Sequence, residues 1–475
     1  MLIDLDGTSY LLKTADAHWE DGIVAVEAGS GVGSLRNILS NTRDVFHDLR
    51  PVPGTPEEPG LLAARIYSYI QYVVCSKGGV GLANFALPRT FLISHSHLDH
   101  VLSLVLSAGS LPNPPPLHNS PVRRRRIVGT KQVLDDLSTM IFSDRIWPNL
   151  ASWSPEASVP DYLYLYDPIP TKNASKSATA EKTDFDLNIS TNYHPIGTKL
   201  SVFAMPVSHG TCQSSHAHAP SGTYTSSAFF IQNTVTYKQF LFFGDVEPDS
   251  LALNPSTKDV WRVAASLITS VLPSGTRVLD SIFIECSWPT TRKDAELFGH
   301  LNPHHLLQEM KALAGEVSRW REAEPPVSPV SPVSPPQSPK FHSPPNNLIL
   351  SGKENASHAN RPAKKSRRRT ILRRPSRPNT IGSTISGAST PTNSSVAVPV
   401  SSADVSVSSE LTPLKGCLRG VKLYVMHCKA PMEMAPGIER GKLSQHIASE
   451  LRSMIEREEL GLEVIAVEQG MRICK

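Results

Sequence analysis

Short apolar runs separated by polar or glycine-rich turns recur along most of the chain, and their lengths are typical of buried β-strands. Six of these runs lead directly into a turn or a polar cluster, namely "GIVAVEAGSG", "TFLISHSHLDH", "KLSVFAMPVSHG", "QFLFFGDVEPDS", "VLDSIFIECSW" and "LYVMHCK". Longer stretches such as "LDHVLSLVLSAG", "HHLLQEMKALAGEVSRW" and "LSQHIASELRSMIEREEL" have apolar residues at helical spacing. Strands that alternate with helices in this way predict a layered α/β architecture, in which helices cover the faces of a sheet.

The apolar pattern breaks near residue 323 and resumes near residue 414. Between these positions the chain is rich in Pro, Ser, Thr and Asn, as in "EPPVSPVSPVSPPQSPK". Such a composition buries too little apolar surface to offset the entropy of ordering, so it predicts disorder. Strand and helix patterns continue after it. We therefore expect one domain made of residues 1–322 and 414–475, interrupted by a disordered insertion at 323–413. Smaller insertions are predicted at 111–126 and 171–190.

The charge of the chain is unevenly distributed. The 475 residues carry a net charge of only +4, and 40% of them are hydrophobic, which is enough for one large domain. Residues 321–415 contain 13 Lys and Arg against 5 Asp and Glu, a net charge of +8, which leaves −4 for the rest of the chain. A mildly acidic folded body argues against a stable nucleic-acid partner, because a protein binds nucleic acid through a basic surface.

The N-terminus and the cysteines indicate a cellular compartment. The sequence "MLIDLDGTSYLLKTADAHWE" lacks the basic and apolar regions of a signal peptide. No apolar run approaches the ~20 residues that a membrane-spanning helix needs, so no membrane partner is expected. The six cysteines are scattered without a CxxC pair, which disfavours a cysteine-based zinc finger and favours free thiols. We expect a cytoplasmic protein.

Histidines are crowded where one of the predicted strands ends. His95 and His97 lie two positions apart, so on an extended segment their side chains point the same way and can bind one ion. Neutral imidazole and carboxylate ligands suit zinc, with manganese and iron as alternatives. Other strand ends must supply the remaining ligands. The sequence therefore predicts two divalent metal ions that are bound by seven ligands: His95, His97, Asp99, His100, His209, Asp245 and His427.

A carboxylate has two oxygens, so Asp245 is expected to bridge the two ions. The first site would consist of His95, His97, His209 and Asp245. The second would consist of Asp99, His100, Asp245 and His427, and an open position would remain for water. Two nearby histidines, His216 and His218, are expected to be loop residues, because no predicted strand delivers them.

These segments resemble the class II cyclic nucleotide phosphodiesterases, which have the metallo-β-lactamase fold, an αββα sandwich. The pattern HxHxDH after a strand is the hallmark of that fold. The segments "HSHLDHVLSLVLSAG", "PVSHG", "LFFGDVEPD", "IECSW", "LFGHLNP" and "YVMHCK" are similar to successive blocks of the family. The resemblance covers roughly residues 1–320 and 415–475. The family normally opens with a strand and a Gly-Gly loop before the segment that "TSYLL" matches, and this opening is absent or altered here.

Single residues become stronger candidates through this resemblance. Without the resemblance, each of these residues has a simpler interpretation. His209 would make a local hydrogen bond, Asp245 would cap a turn, and His427 would be an isolated histidine after a strand. Their positions in the family blocks favour metal binding. The resemblance also places Glu285 and His300 beside the metal ions. His300 would bind the phosphate or protonate the leaving oxygen, and Glu285 would orient His300 or a ligand imidazole. A salt bridge at a strand end is the alternative for Glu285.

The resemblance implies hydrolysis of a cyclic nucleotide to a 5′-monophosphate. Cyclic AMP is the expected substrate, with cyclic GMP as the alternative, and Asp99 is expected to accept a proton from the attacking water. Three other hypotheses stay open at this point. They are a tRNA 3′-processing type of endonuclease, a lactonase or thioesterase of the same fold, and an inactive scaffold whose long insertion does the work.

The insertion also contains motifs for protein kinases. "RRRT" and "RRPS" place paired arginines before Thr370 and Ser376, as cyclic AMP-dependent kinase requires, and five serines precede prolines, as proline-directed kinases require. Each added phosphate would bring about −1.5 to −2 charge to a basic segment. The alternative for "KKSRRR" is a nuclear-import signal or a patch for an anionic surface.

Overall fold

Two β-sheets lie face to face and helices cover the outer side of each, which confirms the expected αββα sandwich. The structure is a computed structural model. It describes residues 2–4, 8–17, 23–41, 90–108, 125–154, 163–170, 193–211, 222–323, 414–430 and 439–474. These residues belong to one compact unit built from Met1–Pro325 and Leu411–Lys475. The predicted insertion from residue 324 onwards, the segment 171–190, His216 and His218 lie outside the described residues.

The first sheet is made of short strands. Their bounds are β1 Leu2–Asp4, β2 Tyr10–Leu12, β3 Val24–Val26, β4 Thr90–Leu92, β5 Arg125–Gly129, β6 Ala151–Ser152, β7 Tyr164–Pro168 and β15 Arg472–Ile473. Within the described residues, the strand order is β15-β1-β2-β3-β4-β5-β7-β6. Strands β3, β4, β5 and β7 run parallel to one another, whereas β2 pairs with β3 in the antiparallel sense.

The second sheet contains the longest strands of the described chain. Its members are β8 His194–Gly197, β9 Leu200–Thr211, β10 Thr223–Asn233, β11 Gln239–Phe243, β12 Leu279–Glu285, β13 Lys422–Met426 and β14 Glu463–Ala466. Their order is β14-β13-β12-β11-β10-β9-β8. The strands from β11 to β14 pair in parallel, so the segments before and after the predicted insertion share one sheet.

Helices flank both sheets. Those beside the first sheet are Val32–Asn41, Leu98–Ala108 and Lys131–Asp136, the last of which continues into a π-helical turn at Leu137–Ile141. Those beside the second sheet are Thr257–Thr269, Pro303–Ala323 and Leu443–Arg457. In the described part of the chain, none of the helices has both the length and the apolar character required to cross a membrane.

The strands are buried on both faces, which explains why their sequences are almost continuously apolar. Adjacent residues of one strand point to opposite faces. Phe229 therefore packs between the two sheets, whereas Phe230 packs against the helices of the second sheet. Phe242 likewise packs between the two sheets, and Phe243 packs against the helices of the second sheet. The carboxyl ends of the parallel strands face one edge of the sandwich, the usual location of binding sites in such sheets.

Three details of the sequence prediction are corrected. His209 lies within β9, not beyond its end. The insertion predicted at 111–126 stops earlier, because Arg125 and Arg126 begin β5; Arg126 pairs there with Asp167, which makes a charged residue compatible with a strand. A strand, Leu2–Asp4, does precede the "TSYLL" segment and pairs with it and with Arg472–Ile473.

Gly244 lies where the two sheets approach each other closely beside the predicted metal ligands. A Cβ atom at this position would overlap the side chain of Ser94 and would lie 2.6 Å from Oγ of Ser226. Gly244 precedes Asp245, and Ser94 precedes His95. The missing side chain therefore allows two segments that carry predicted ligands to lie in contact.

We expect Gly244→Ala to lower the free energy of unfolding by about 1–3 kcal/mol, because Ser94 and Ser226 must move to admit the methyl group. Gly33→Ala is the matched control. Gly33 lies in the helix Val32–Asn41 with no atom within 4 Å of an added Cβ, so its replacement should leave stability unchanged or raise it by up to about 1 kcal/mol. Urea unfolding measures both, and equal stability of the two variants would contradict this packing argument.

Candidate metal centre and active site

The seven predicted metal ligands lie together at the edge of the sandwich. Their ligand atoms form two groups, and within each group they lie within 4.8 Å of one another. One group contains His95, His97 and His209, and the other contains Asp99, His100, Asp245 and His427. Ligand atoms of His209, Asp245, Glu285 and His300 also lie within 4.8 Å of one another.

Asp245 lies between the two groups. Its Oδ2 atom is 3.2 Å from Nε2 of His100, 3.6 Å from Nε2 of His209 and 3.8 Å from Nε2 of His95. Its Oδ1 atom is 3.3 Å from Nε2 of His427. Asp245 follows the parallel strand β11 and is almost completely buried. One carboxylate therefore faces histidines of both groups, which is the arrangement that a bridging ligand requires.

The segment from the end of β4 to the first turn of the next helix presents the first four candidates. His95 and His97 lie in the loop after β4, and Asp99 and His100 lie in the first turn of the helix Leu98–Ala108. Nδ1 of His97 is 3.2 Å from Nε2 of His209. Asp99 is the most open of the acidic candidates, with a side chain that is 49% exposed and an Oδ2 atom 3.8 Å from Nε2 of His427.

Neighbouring groups fix the orientation of the rings. Oγ of Ser94 lies 2.9 Å from Nδ1 of His95, so Nε2 of that ring is the nitrogen that faces Asp245. Nδ1 of His209 donates to the carbonyl oxygen of Gly299 at 2.8 Å, which leaves Nε2 to face the cluster. A partner on one ring nitrogen selects the tautomer and aims the other nitrogen, as is usual for histidines that bind metals.

Glu27 is a buried carboxylate beside the cluster that was not among the residues predicted from the sequence. Its Oε1 atom accepts from the amide of Ser94 at 3.2 Å, and its Oε2 atom is 3.4 Å from Nδ1 of His100. Glu27 has a φ of 61°, an uncommon value outside glycine, and this backbone conformation occurs directly after β3. The available signal was its position, since it follows a buried strand as Asp245 and His427 do.

Glu285 and His300 form a buried pair beside the cluster. Nδ1 of His300 donates to Oε2 of Glu285 at 2.9 Å and lies 3.6 Å from Oδ2 of Asp245. Glu285 also accepts from the amide of Val246 at 2.7 Å and from the hydroxyl of Ser287. The expected contact between Glu285 and His300 is therefore present, and the amide of Val246 ties Glu285 to the loop that carries Asp245.

Burial keeps the imidazoles of His95 and His209 neutral. Burial, reinforced by the positive charge on His100, holds the pKa of His95 well below its usual value. Burial likewise lowers the pKa of His209 to about 4, although Asp245 opposes it. At neutral pH both rings therefore present a lone pair, the form that binds a metal ion.

His100 and Asp245 show that the cluster attracts positive charge. Burial would lower the pKa of His100, but the carboxylates of Asp245 and Glu27 outweigh it and raise the pKa well above its usual value. Burial would raise the pKa of Asp245, but His100 and His427 outweigh it and hold the pKa well below its usual value. A divalent cation would satisfy the same carboxylates.

Unpartnered buried nitrogens test whether the residues fit metal ions. Among the described residues, Nε2 of His95, both ring nitrogens of His100 and Nε2 of His427 are buried without a hydrogen-bond partner. The carboxylates near His100 lie at 3.2–3.4 Å but not in hydrogen-bonding geometry. Buried polar atoms without partners are costly, so such nitrogens indicate a missing ligand. Neutral imidazoles with carboxylates are a donor set for divalent ions, and the residues therefore fit a two-ion centre.

Comparisons with known proteins identify the family to which the sequence is similar. A family model described as "cAMP phosphodiesterases class-II" matches residues 85–330. A 3′,5′-cyclic-nucleotide phosphodiesterase of Schizosaccharomyces pombe is 31% identical over 232 residues, which are 49% of this chain and 53% of that relative. One of Aliivibrio fischeri is 25% identical over 307 residues, which are 64% of this chain and 70% of that relative. The match to the fission-yeast protein thus spans about half of its length.

The fold has a counterpart among solved structures. The crystal structure of unliganded yeast PDE1 superimposes with a TM-score of 0.52 at 18% sequence identity, over 97% of this chain and 93% of that chain. At this identity the likeness concerns the fold, and it supports the two-sheet sandwich described above.

We expect Asp245→Asn to lower the metal content of zinc-loaded protein to less than half of the wild-type value, because the amide lacks the charge and the second oxygen of a bridging carboxylate. Elemental analysis after gel filtration measures this content, and circular dichroism checks the fold.

Asp249→Asn is the matched control for this substitution. Asp249 accepts from the amides of Ser256 and Thr257 at 2.8 and 3.0 Å, which supports the start of the helix Thr257–Thr269. Its replacement should cost about 1 kcal/mol of stability without loss of metal. Wild-type metal content in Asp245→Asn, or equal loss in both variants, would contradict the bridging position.

Proposed function

Because the chain belongs to the class-II cAMP phosphodiesterase family, we propose that it hydrolyses 3′,5′-cyclic nucleotides to nucleoside 5′-monophosphates in a metal-dependent reaction. Cyclic AMP is the proposed main substrate and cyclic GMP the alternative. The observation that carries the proposal is the two groups of candidate ligands with the Asp245 carboxylate between them, beside the buried pair of Glu285 and His300. Such hydrolysis would damp cyclic-nucleotide signalling.

The residues are proposed to hold two zinc ions, with manganese or iron as alternatives. Two bound divalent ions would supply Lewis acidity, which generates a nucleophilic oxygen at neutral pH and neutralises phosphate charge. A set rich in imidazoles suits zinc. The first ion would be held by His95, His97 and His209, the second by Asp99, His100 and His427, and both by Asp245.

Asp99 is proposed to accept the proton of the attacking water. Its side chain is half exposed, unlike that of Asp245, so it can exchange the proton with solvent afterwards. The cationic surroundings of Asp99 hold its pKa below the usual value: burial opposes this, but His100 and Lys429 outweigh it. The carboxylate is therefore ionised at neutral pH and ready to accept a proton.

His300 is proposed to donate a proton to the 3′ oxygen as the bond from phosphorus to that oxygen breaks. Burial alone would lower the pKa of His300, but the carboxylates of Glu285 and Asp245 outweigh burial and raise it. Nδ1 is occupied by Glu285, so Nε2 is the atom that faces the substrate. Attack by water, proton transfer to Asp99 and proton donation by His300 leave the 5′-monophosphate and a free 3′ hydroxyl.

The role of the insertion stays a prediction. Thr370, Ser376 and the proline-directed serines lie outside the described residues. We propose that cyclic AMP-dependent and proline-directed kinases act on this segment and that the protein works in the cytoplasm. The support for the kinases is the sequence pattern of the insertion, and the support for the cytoplasm is the six scattered cysteines, whose spacing favours thiols in a reducing compartment.

We expect the purified protein to convert cyclic AMP to 5′-AMP, to lose this activity on chelation and to regain it with zinc, because the proposed attack depends on metal chemistry. His97→Ala should lower kcat/KM by more than the ~10–100-fold that loss of a supporting neighbour of a metal ligand costs. Chromatography of the products measures both effects.

His304→Ala is the control for this substitution, because His304 is exposed on the helix Pro303–Ala323. It should retain wild-type turnover. Formation of 3′-AMP, insensitivity to chelation, or near wild-type turnover by His97→Ala would each argue against the proposed reaction.

A further inference from the structure

Lys429 places an ammonium group beside the two residues that are proposed to move protons. Its Nζ atom is 2.9 Å from Nε2 of His300 and 3.4 Å from Oδ2 of Asp99. Its side chain is 29% exposed, so it reaches the cluster from the solvent side. In the described part of the chain, no other lysine or arginine has a hydrogen bond or ion pair with the seven predicted ligands, Glu285 or His300. Lys429 was not among the residues predicted from the sequence, although it follows His427 by two positions.

The backbone of Lys429 is held in place by the loop that follows β12. Its amide donates to the carbonyl oxygen of Ser287 at 2.8 Å. The hydroxyl of Ser287 lies 2.9 Å from the carbonyl oxygen of His427 and also contacts Glu285. The position of Lys429 is therefore fixed by the same residues that orient the pair of Glu285 and His300, unlike that of a freely moving surface lysine.

The contact with Asp99 does not by itself explain this placement. The pair is separated by 3.4 Å and the side chain of Asp99 is 49% exposed, so solvent screens it. Exposed pairs of this kind contribute about 0–1 kcal/mol to stability. The ammonium group of Lys429 also lies beside Nε2 of His300, where the substrate is expected to bind. Stability is thus a weak reason for Lys429 to lie here, and interaction with a substrate is a stronger one.

The charge of the cluster points to the same role. Four carboxylates line it: Glu27, Asp99, Asp245 and Glu285. Two divalent ions would balance these four negative charges, but a phosphodiester brings one more. Charge also builds up on the phosphate oxygens during the attack. A fixed cation on the open side of the cluster supplies the missing charge, and lysine is a common phosphate-binding residue that acts as a point charge.

We propose that Lys429 binds a non-bridging oxygen of the substrate phosphate and so holds the phosphate between Asp99 and His300. The anionic oxygen is a better acceptor for the ammonium group than a neutral imidazole nitrogen. Binding would therefore draw Nζ away from Nε2 of His300, which is then free to take up the proton that His300 donates to the leaving oxygen. This inference rests on the proposed function, since it concerns the substrate of the same site.

The test compares Lys429→Met with wild type in two measurements on zinc-loaded protein. Calorimetric binding of 5′-AMP should weaken about tenfold or more, because a hydrogen bond to a charged group is lost. The value of kcat/KM for cyclic AMP should fall at least as much, while the metal content stays at the wild-type value. Lys429→Arg keeps the positive charge and should recover part of both losses. Lys429→Gln replaces Lys429→Met if the latter does not fold.

Lys422→Met is the matched control. Lys422 lies in β13 and faces Glu463 at 3.6 Å, away from the cluster, and its replacement should change neither binding nor turnover. Unchanged 5′-AMP affinity in Lys429→Met would overturn the inference, and so would a loss of metal that accounts for the effect. Wild-type protein that binds 5′-AMP through Lys429 but does not hydrolyse cyclic AMP would refute the proposed function alone. Turnover of cyclic AMP with unchanged binding in Lys429→Met would refute the inference alone.

Discussion

The buried carboxylate of Asp245 is the constraint on which the rest of the site depends. It lies within 3.2–3.8 Å of nitrogens on His95, His100, His209 and His427, and it is nearly inaccessible to solvent. An ionised carboxylate in such surroundings must be matched by positive charge. Protonated His100 can supply part of it, and divalent ions between the histidines and Asp245 would supply more. The unpartnered ring nitrogens of the cluster are consistent with the second solution.

The fold brings this carboxylate and the histidines together from distant parts of the sequence. Parallel strands in both sheets end at the same edge, so β4 delivers His95 and His97, β11 delivers Asp245 and β13 delivers His427. Close contact at Gly244 lets the two sheets meet there without a side chain between them. Glu27, Ser94 and Gly299 then set the direction of the rings. The site is thus built by the sandwich, and its geometry depends on the packing of both sheets.

Much of this arrangement is predictable from the sequence, because its signals are local. The run "TFLISHSHLDH" shows a strand, a loop of histidines and a helix in eleven residues, and "QFLFFGDVEPDS" shows a strand that ends at Asp245. The position of His209 inside β9 is less predictable, since β9 continues two residues beyond it in an antiparallel pair. Family resemblance, in addition to the pattern of residues, was needed to select His427 from other single histidines.

Other features depend on three-dimensional contacts that no local pattern encodes. Glu27 is one acidic residue after a strand, and its importance becomes visible only when it lies 3.4 Å from His100. Lys429 resembles any surface lysine in the sequence. Its position beside His300 becomes visible only in the fold, where β13 pairs with β12. Ser94 and Gly244 have no chemical signature, because their part is to allow and orient contacts between sheets. Such supporting residues are defined by the fold.

The most direct test of the two-ion account is an anomalous-scattering map of zinc-loaded crystals recorded at the zinc absorption edge. The account predicts two peaks on either side of the Asp245 carboxylate, each about 2.0–2.2 Å from one of its oxygens. The ion at one peak would be bound by His95, His97 and His209, and the ion at the other by Asp99, His100 and His427. A single peak, or two peaks that do not share Asp245, would contradict the account.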